Sequence, residues 1–375
     1  MSNGAQPEAS ILMKKGGHSA MKAIMQARDQ QARDVLALLK GVATDEGKLP
    51  LHEIHEKTLE AVAEHLLKTE IDLANLDPSL AGAAEQVSDP DLRLDVLNLA
   101  GVLPFLEVET LEQKVGAFER LAEGFEFDKK YAKELHALAH KKAAHLELDS
   151  LRAARLELGA SALKLGIKAL AGFFHLDGNK EMLARYEGYE ALAEDTFGHN
   201  LIRYYRDNDF PIPGTAGAPF SNTLQVHDMH HVLAGYPTTP VGEMCVLAFD
   251  GAMMQEDAGK LLIAAAAEWQ IGFQISADPV WKNQFKPDII LRAYERGGEA
   301  TTNYLVEGFD FHPYLEQKLA DVRAEFGIAS EGALIQSPKD LWCGDMGVVG
   351  SRESEDKVEE KRGFLNKYLM KVNTN

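Results

Sequence analysis

Four side chains that can bind a metal ion lie close together in the sequence, in and just after a His-Asp-Met-His-His segment. If residues 227–234 are helical, His227, Asp228 and His231 face one point, because each residue advances by about 100° around the helix axis. The other histidine of the segment lies outside that face. Glu243 follows after a short turn. The spacing therefore predicts a metal site with two imidazoles and two carboxylates.

The residues between the last histidine and Glu243 are typical of a helix end followed by a new helix start. Gly235 suits the position just past a helix end, Thr239 suits an N-cap, and Pro240 suits the first helical residue. Such a turn folds the start of the second helix back against the first. The four ligands suit zinc first and manganese or iron next, while magnesium is disfavoured because it prefers oxygen ligands.

The number of bound side chains decides what chemistry the site can do. If all four bind, the ion is closed off and structural. If Asp228 or Glu243 stands back, one position is open and that carboxylate is the candidate base. An open ion could polarise a phenolate, carboxylate or phosphate oxygen, or acidify water. The plain alternative is a buried histidine and a solvated acid that bind no metal.

Length and composition limit the classes of protein to which the chain can belong. The chain has 375 residues, and 58 acidic against 39 basic residues give a net charge of −19. This length predicts two domains. The acidic balance argues against nucleic-acid binding, which needs a concentrated basic surface. Two distant cysteines predict no disulfide framework, and we see no targeting signal and no membrane span, so the cytoplasm is the expected location.

Helical periodicity recurs along the chain and alternating β-branched runs are sparse, so the predicted fold class is all-α with two helical domains. Two of the predicted helices, at 186–205 and 313–326, flank the metal motif in sequence. The predicted divisions are a disordered N-terminus at 1–18, a helical bundle at 19–158, a connecting helix and turn at 159–179, a second helical domain at 180–328, and a tail with a charged helix at 329–375.

The N-terminal bundle carries an Asp-x-Gly turn at Asp45 and Gly47, and Glu53 lies one turn into the next helix. In these residues the bundle resembles the tellurite-resistance TerB-like helical domains. The resemblance implies a weak second cation site on Asp45 and Glu53. Plain turn chemistry explains the same residues.

Further histidines in the bundle lie at helical spacings that could bind metal. They are His52 and His55 in one predicted helix, and His136, His140 and His145 in another. Their neighbours are Glu, Lys and Ala, which is typical of a solvated face. We expect at most a weak site in either place.

The metal motif also carries a family resemblance. His227-Asp228-x-x-His231 and Glu243, with Leu233, Gly235, Thr238 and Gly242 between them, resemble the signature of the coenzyme Q (ubiquinone) biosynthesis protein four family. The similarity continues at 196–198, 292–298 and 319–328. It spans a little under half of the chain.

This resemblance implies an all-α domain that binds a divalent metal, usually zinc, on His227, Asp228, His231 and Glu243, beside an apolar pocket for a polyprenyl tail. It implies a role in ubiquinone biosynthesis, either in oxidative decarboxylation at C1 of the prenylated ring, as a metal-dependent decarboxylase or hydroxylase, or in organising the other biosynthetic proteins. The expected partners are a polyprenylated quinone precursor, other quinone-biosynthesis proteins, a membrane surface contacted peripherally, and a second copy of the chain.

Two alternatives stay open at this point. A non-catalytic isoprenoid-binding or cation-sensing stress-response scaffold would carry the same motif. The apolar residues between 246 and 273 could leave a slot for a prenyl chain between two helices, but core packing explains the same residues.

Overall fold

The computed structural model describes residues 17–18, 22–127, 179–216, 222–254, 258–273, 281–306 and 309–343. In these ranges the fold is all-α, as predicted. The helices are α1 (Asp29–Ala43), α2 (Glu53–Ala61), α3 (Ala83–Gln86), α4 (Pro90–Ala100), α5 (Leu111–Gly124), α6 (Lys180–Gly188), α7 (Phe197–Asp207), α8 (Asn222–Ala234), α9 (Pro240–Met253), α10 (Ala258–Trp269), α11 (Pro287–Glu299) and α12 (Leu319–Glu325). The described helices include none that is both long and apolar enough to cross a membrane.

Helices from the two predicted domains pack around one hydrophobic core. α11 packs along α2 and its π-helical continuation Val62–Leu66, and α10 packs against α4. Within the second half, α9 crosses α11 so closely that a Cβ added at Gly297 would lie 2.0 Å from the carbonyl oxygen of Phe249. The predicted connecting segment 159–179 lies almost entirely outside the described residues, so the division into two domains stays a prediction.

Two predicted helices are interrupted in the structure. The prediction at 186–205 is wrong because α6 ends early and Thr196 caps a new helix, α7. The prediction at 313–326 is wrong because the chain reaches α12 only after an irregular stretch. The two breaks have one cause, since the first backbone N–H groups of α7 donate to the carbonyl oxygens of Gln317 and Leu315.

Residues from both predicted end segments take part in the described fold. β1 (Gly17–His18) pairs antiparallel with β2 (Thr302–Asn303), so residues 17–18 are not part of a disordered N-terminus. Trp342, in the predicted tail, is fully buried, and its carbonyl oxygen accepts a hydrogen bond from the backbone N–H of Thr238 at 2.9 Å. The first part of the tail is therefore folded onto the second half. The predicted charged tail helix lies outside the described residues.

An ion-pair network joins the two halves at Glu295, whose side chain is 1% exposed. Its carboxylate contacts Lys68 and Arg292, and lies 3.5 Å from Nδ1 of His65. Burial opposes ionisation of Glu295, but hydrogen bonds from these three partners outweigh it and lower its pKa to about 2. Burial likewise opposes protonation of His65, but hydrogen bonds to Glu295 and Asp288 outweigh it and raise its pKa.

We expect this network to stabilise the fold most between about pH 4.5 and 6.5, the ordinary pKa values of the two groups. Because the pKa of Glu295 is lowered, its contribution is present above about pH 4.5 and is lost as the pH falls towards 2. Because the pKa of His65 is raised, its contribution is present below about pH 6.5 and is lost as the pH rises through the raised value.

Glu295→Gln should lower the free energy of unfolding by about 2 kcal/mol near the middle of this range. The expected loss is below that of a fully buried pair, because Lys68 and Arg292 are 44% and 25% exposed and regain water. Urea denaturation across a pH series measures the effect. Glu299→Gln, which changes an exposed residue of the same helix, is the matched control. If Glu295→Gln loses stability between about pH 4.5 and 2 as steeply as the wild type does, Glu295 is not the group that controls this pH dependence.

Candidate metal centre

The turn between α8 and α9 has the predicted local structure. Gly235 follows the last residue of α8 with a φ of 80°, and its N–H donates to the carbonyl oxygen of His231 at 2.8 Å. The hydroxyl of Thr239 accepts a hydrogen bond from the N–H of Gly242 at 3.0 Å and so caps α9. Pro240 is the first residue of α9. The predicted helix end, N-cap and helix start are confirmed.

The same turn lies directly on the start of α9. A Cβ added at Gly242 would lie 1.9 Å from the carbonyl oxygen of Pro237, which is a backbone atom that cannot swing away. Only glycine fits at this position. The close approach holds the next residue, Glu243, against the end of α8.

Three of the predicted ligands meet between the two helices. Nε2 of His231 lies 3.1 Å from Nε2 of His227 and 3.2 Å from Oε2 of Glu243, and His227 Nε2 lies 3.3 Å from the same oxygen. In a tetrahedral zinc site with metal–ligand distances of about 2.0–2.1 Å, neighbouring donor atoms are about 3.3 Å apart. The three donor atoms therefore already form a triangle of nearly the size that zinc requires.

The imidazole of His231 is oriented by the turn. Its Nδ1 lies 2.9 Å from the carbonyl oxygen of Tyr236, so Nδ1 donates and Nε2 keeps the free lone pair. A backbone carbonyl that fixes the tautomer in this way is typical of metal-binding histidines. His231 is fully buried, whereas His227 and Glu243 are 34% and 23% exposed. The site is therefore anchored in the core and open to solvent on one side.

The charges of His227 and Glu243 stabilise each other. Burial opposes protonation of His227, but the hydrogen bond and the charge of Glu243 outweigh it and raise the pKa of His227 to about 9. Burial also opposes ionisation of Glu243, but the two histidines outweigh it and hold its pKa well below the ordinary value. An ion pair between His227 and Glu243 accounts for part of this arrangement. Nε2 of His231 lies at nearly equal distances from both, 3.1 Å from His227 and 3.2 Å from Glu243, so the three side chains form one cluster and not a single ion pair.

Asp228, the fourth predicted ligand, faces another helix. Its two carboxylate oxygens accept hydrogen bonds from the hydroxyls of Tyr204 at 3.1 Å and Tyr205 at 2.8 Å, both on α7. The group of metal-capable atoms that lie within 4.8 Å of one another contains His227, His231 and Glu243, without Asp228. Burial raises the pKa of Asp228, although Tyr205 and the histidines oppose this. The structure therefore places Asp228 apart from the other three predicted ligands.

The chain matches no protein-family model, no curated protein and no solved structure. Its function therefore has to be inferred from the chemistry of the site.

The supporting residues around the triangle were not predicted from the sequence. The Tyr204 ring lies 5.5 Å from the His231 ring, centroid to centroid, and 5.9 Å from the ring of Trp342. Burial, followed by the charge of Asp228, raises the pKa of Tyr204 and of Tyr205 well above the ordinary value, so both hydroxyls remain donors. Two adjacent tyrosines in one predicted helix are a sequence signal that could have marked Tyr204 and Tyr205. Nothing in the sequence marked Trp342.

The other predicted cation site is not assembled in the described part of the chain. Asp45 pairs with Arg120 and, at 3.2 Å, with Lys48, whereas Glu53 pairs with Lys57 at 2.5 Å. The groups of three or more metal-capable side chains found among the described residues include neither acid. His136, His140 and His145 lie outside the described residues.

The predicted prenyl slot coincides with core packing. The apolar residues of α9 and α10 that could line it are buried in the common core; they include Val246, Phe249, Met253, Leu262 and Ile263. Core packing therefore explains these residues. Residues 217–221 and 274–280, which precede α8 and follow α10 in sequence, lie outside the described residues.

Proposed function

We propose that the chain binds zinc on His227, His231 and Glu243, and that it acts in the biosynthesis of a prenylated quinone with a polyprenylated ring precursor as its ligand. The observation that carries the proposal is the triangle of donor atoms with edges of 3.1, 3.2 and 3.3 Å. Three ligands leave one position for a substrate or water, as in catalytic zinc sites. The motif's resemblance to the ubiquinone-biosynthesis family supports the choice of quinone chemistry.

Zinc bound at this triangle would supply a Lewis acid for an oxygen of the ring precursor, such as a phenolate or a carboxylate. The chain's own residues orient the ligands. The Tyr236 carbonyl oxygen fixes the ring of His231, and Tyr204 and Tyr205 hold the carboxylate of Asp228. Asp228 is therefore a positioning residue that fixes the rotation of α8 about its axis.

Two apolar side chains lie close to the ligands in sequence. Leu247 lies one turn after Glu243 on α9, and Val226 directly precedes His227 on α8; both side chains are only partly buried. A ligand with a polar ring and an apolar tail needs this combination. The arrangement supports a prenylated ring over a fully polar substrate.

Complementation tests the proposal in a host that lacks its ubiquinone-biosynthesis family member. The wild-type chain should restore quinone levels, whereas Glu243→Gln should remain folded and fail. Asp228→Asn should retain activity reduced by about 10 to 100-fold, as expected for a residue that orients ligands. His312→Ala, which removes an exposed histidine, is the control.

Lipid mass spectrometry on the purified protein distinguishes a role in quinone biosynthesis from a non-catalytic scaffold. Copurified prenyl lipid without any restoration of quinone levels would support the non-catalytic isoprenoid-binding scaffold instead. Full restoration by Glu243→Gln would remove the metal from the mechanism.

A further inference from the structure

A second group of metal-capable side chains lies in the N-terminal half, where α2 begins. One potential ligand atom from each of His52, His55 and Glu107 lies within 4.8 Å of the other two. Nε2 of His52 is 3.9 Å from Oε1 of Glu107. We infer that these three residues form a second metal site that binds a divalent cation, with zinc favoured by the two imidazoles and one carboxylate.

The buried histidine carries the inference. His55 is fully buried, and its Nε2 lies 2.9 Å from the carbonyl oxygen of Leu103, so Nε2 must donate. Nδ1 is then the nitrogen with the free lone pair, and among the described residues this buried atom has no hydrogen-bond partner. Buried acceptors without partners are uncommon, and a second nitrogen that donates to a backbone carbonyl is typical of metal-bound histidines.

The carboxylate of Glu107 also has one oxygen left for an ion. Its Oε2 accepts hydrogen bonds from the buried Lys114 and, at 2.7 Å, from the hydroxyl of Thr110. Oε1 is the oxygen that faces His52. Glu107 is thus held in place by one oxygen and can bind with the other.

His52 is the adjustable ligand. Its side chain is 53% exposed, and its Nδ1 contacts the backbone N–H of Ile54 at 3.5 Å, which is long for a hydrogen bond. That contact can be given up so that Nδ1 carries the ring proton and Nε2 binds the ion. The donor atoms lie within 4.8 Å of one another, which is wider than in the first triangle, and the exposed ring of His52 is the part that would move to shorten these distances.

The site borders the cleft between the two halves. A cavity of about 450 Å³ is lined by His52 and Glu107 from the first half and by residues 270–271, 282–283 and 285–286 from the second. Because His52 and Glu107 line this cavity, water or an oxygen ligand in it could reach an ion bound to them.

Zinc titration of the full chain by calorimetry, with inorganic zinc as the probe, tests the second site separately from the first. We expect two ions per wild-type chain, one for His52→Ala, one for Glu243→Gln, and none for the double variant. His52 is exposed, so its loss should leave the fold intact. Glu107→Gln should weaken the second site by at least about 100-fold, more than the loss of an orienting residue.

Glu109→Gln is the matched control, because this residue lines the same cavity but does not belong to the group. Two ions with unchanged affinity in His52→Ala would overturn the second site, as would no bound ion in Glu243→Gln. The proposed function would fail in a different way. In that case Glu243→Gln would still bind as many ions as the wild type, while His52→Ala lost one.

Discussion

Glu243→Gln should remove the stabilisation that zinc gives to the fold. In a chain that binds zinc only when folded, zinc at about 1,000 times its dissociation constant raises the free energy of unfolding by about 4 kcal/mol. Glutamine keeps the size of Glu243 but replaces the anionic oxygen that lies 3.2–3.3 Å from both histidine nitrogens. The variant should therefore show almost none of this increase. Thermal or urea denaturation with and without zinc measures it.

The measurement is made in the His52→Ala background so that the second site does not contribute. Glu187→Gln, an exposed carboxylate on α6, serves as the control for a lost negative charge. It should keep the full stabilisation by zinc. Equal stabilisation of Glu243→Gln and its parent would mean that the triangle does not hold the ion.

Gly242→Ala is expected to have the largest effect on the fold and on the site together. The added Cβ would lie 1.9 Å from the carbonyl oxygen of Pro237, so the turn and the start of α9 must separate. Overpacking of this kind lowers the free energy of unfolding by about 3 kcal/mol. Because Glu243 is the next residue, we also expect zinc affinity to fall by at least about tenfold, an effect of the size seen when ligand orientation is lost.

Gly188→Ala is the matched control for this substitution. A Cβ at Gly188, in the last turn of α6, would meet nothing within 4 Å. Alanine there should be neutral or stabilise the helix by up to about 1 kcal/mol. If Gly242→Ala unfolds with the same free energy as the wild type and binds zinc equally well, the turn does not position Glu243.

The parts of the site that the sequence predicted are those that local chemistry controls. Gly235, Thr239 and Pro240 end one helix and begin the next through contacts within a few residues. The spacing of His227 and His231 then places two imidazoles on one helix face. These features depend little on the rest of the fold, so they could be predicted without it.

The parts that sequence reasoning missed depend on contacts between distant segments. On a helix, Asp228 is about 60° further around the axis than His231, so a small rotation decides which neighbour it faces. Tyr204 and Tyr205 decide it, because their hydroxyls bind both carboxylate oxygens. Glu107 likewise joins His52 and His55 from another segment of the chain. The spacing of residues within one segment cannot predict these contacts between segments.

The helix breaks around the site have the same origin. Periodicity alone extends a helix through 186–205, but the N–H groups at the start of α7 are satisfied by carbonyl oxygens of residues 315 and 317. That pairing keeps both segments from being continuous helices. It could not be predicted from either segment alone.

Anomalous diffraction from a zinc-soaked crystal, collected on both sides of the zinc absorption edge, tests the central claim most directly. We expect a peak within about 2.0–2.2 Å of Nε2 of His227, Nε2 of His231 and Oε2 of Glu243, with Asp228 still bound to its two tyrosines. Crystals that bind zinc elsewhere but show no anomalous peak between these three atoms would contradict the account.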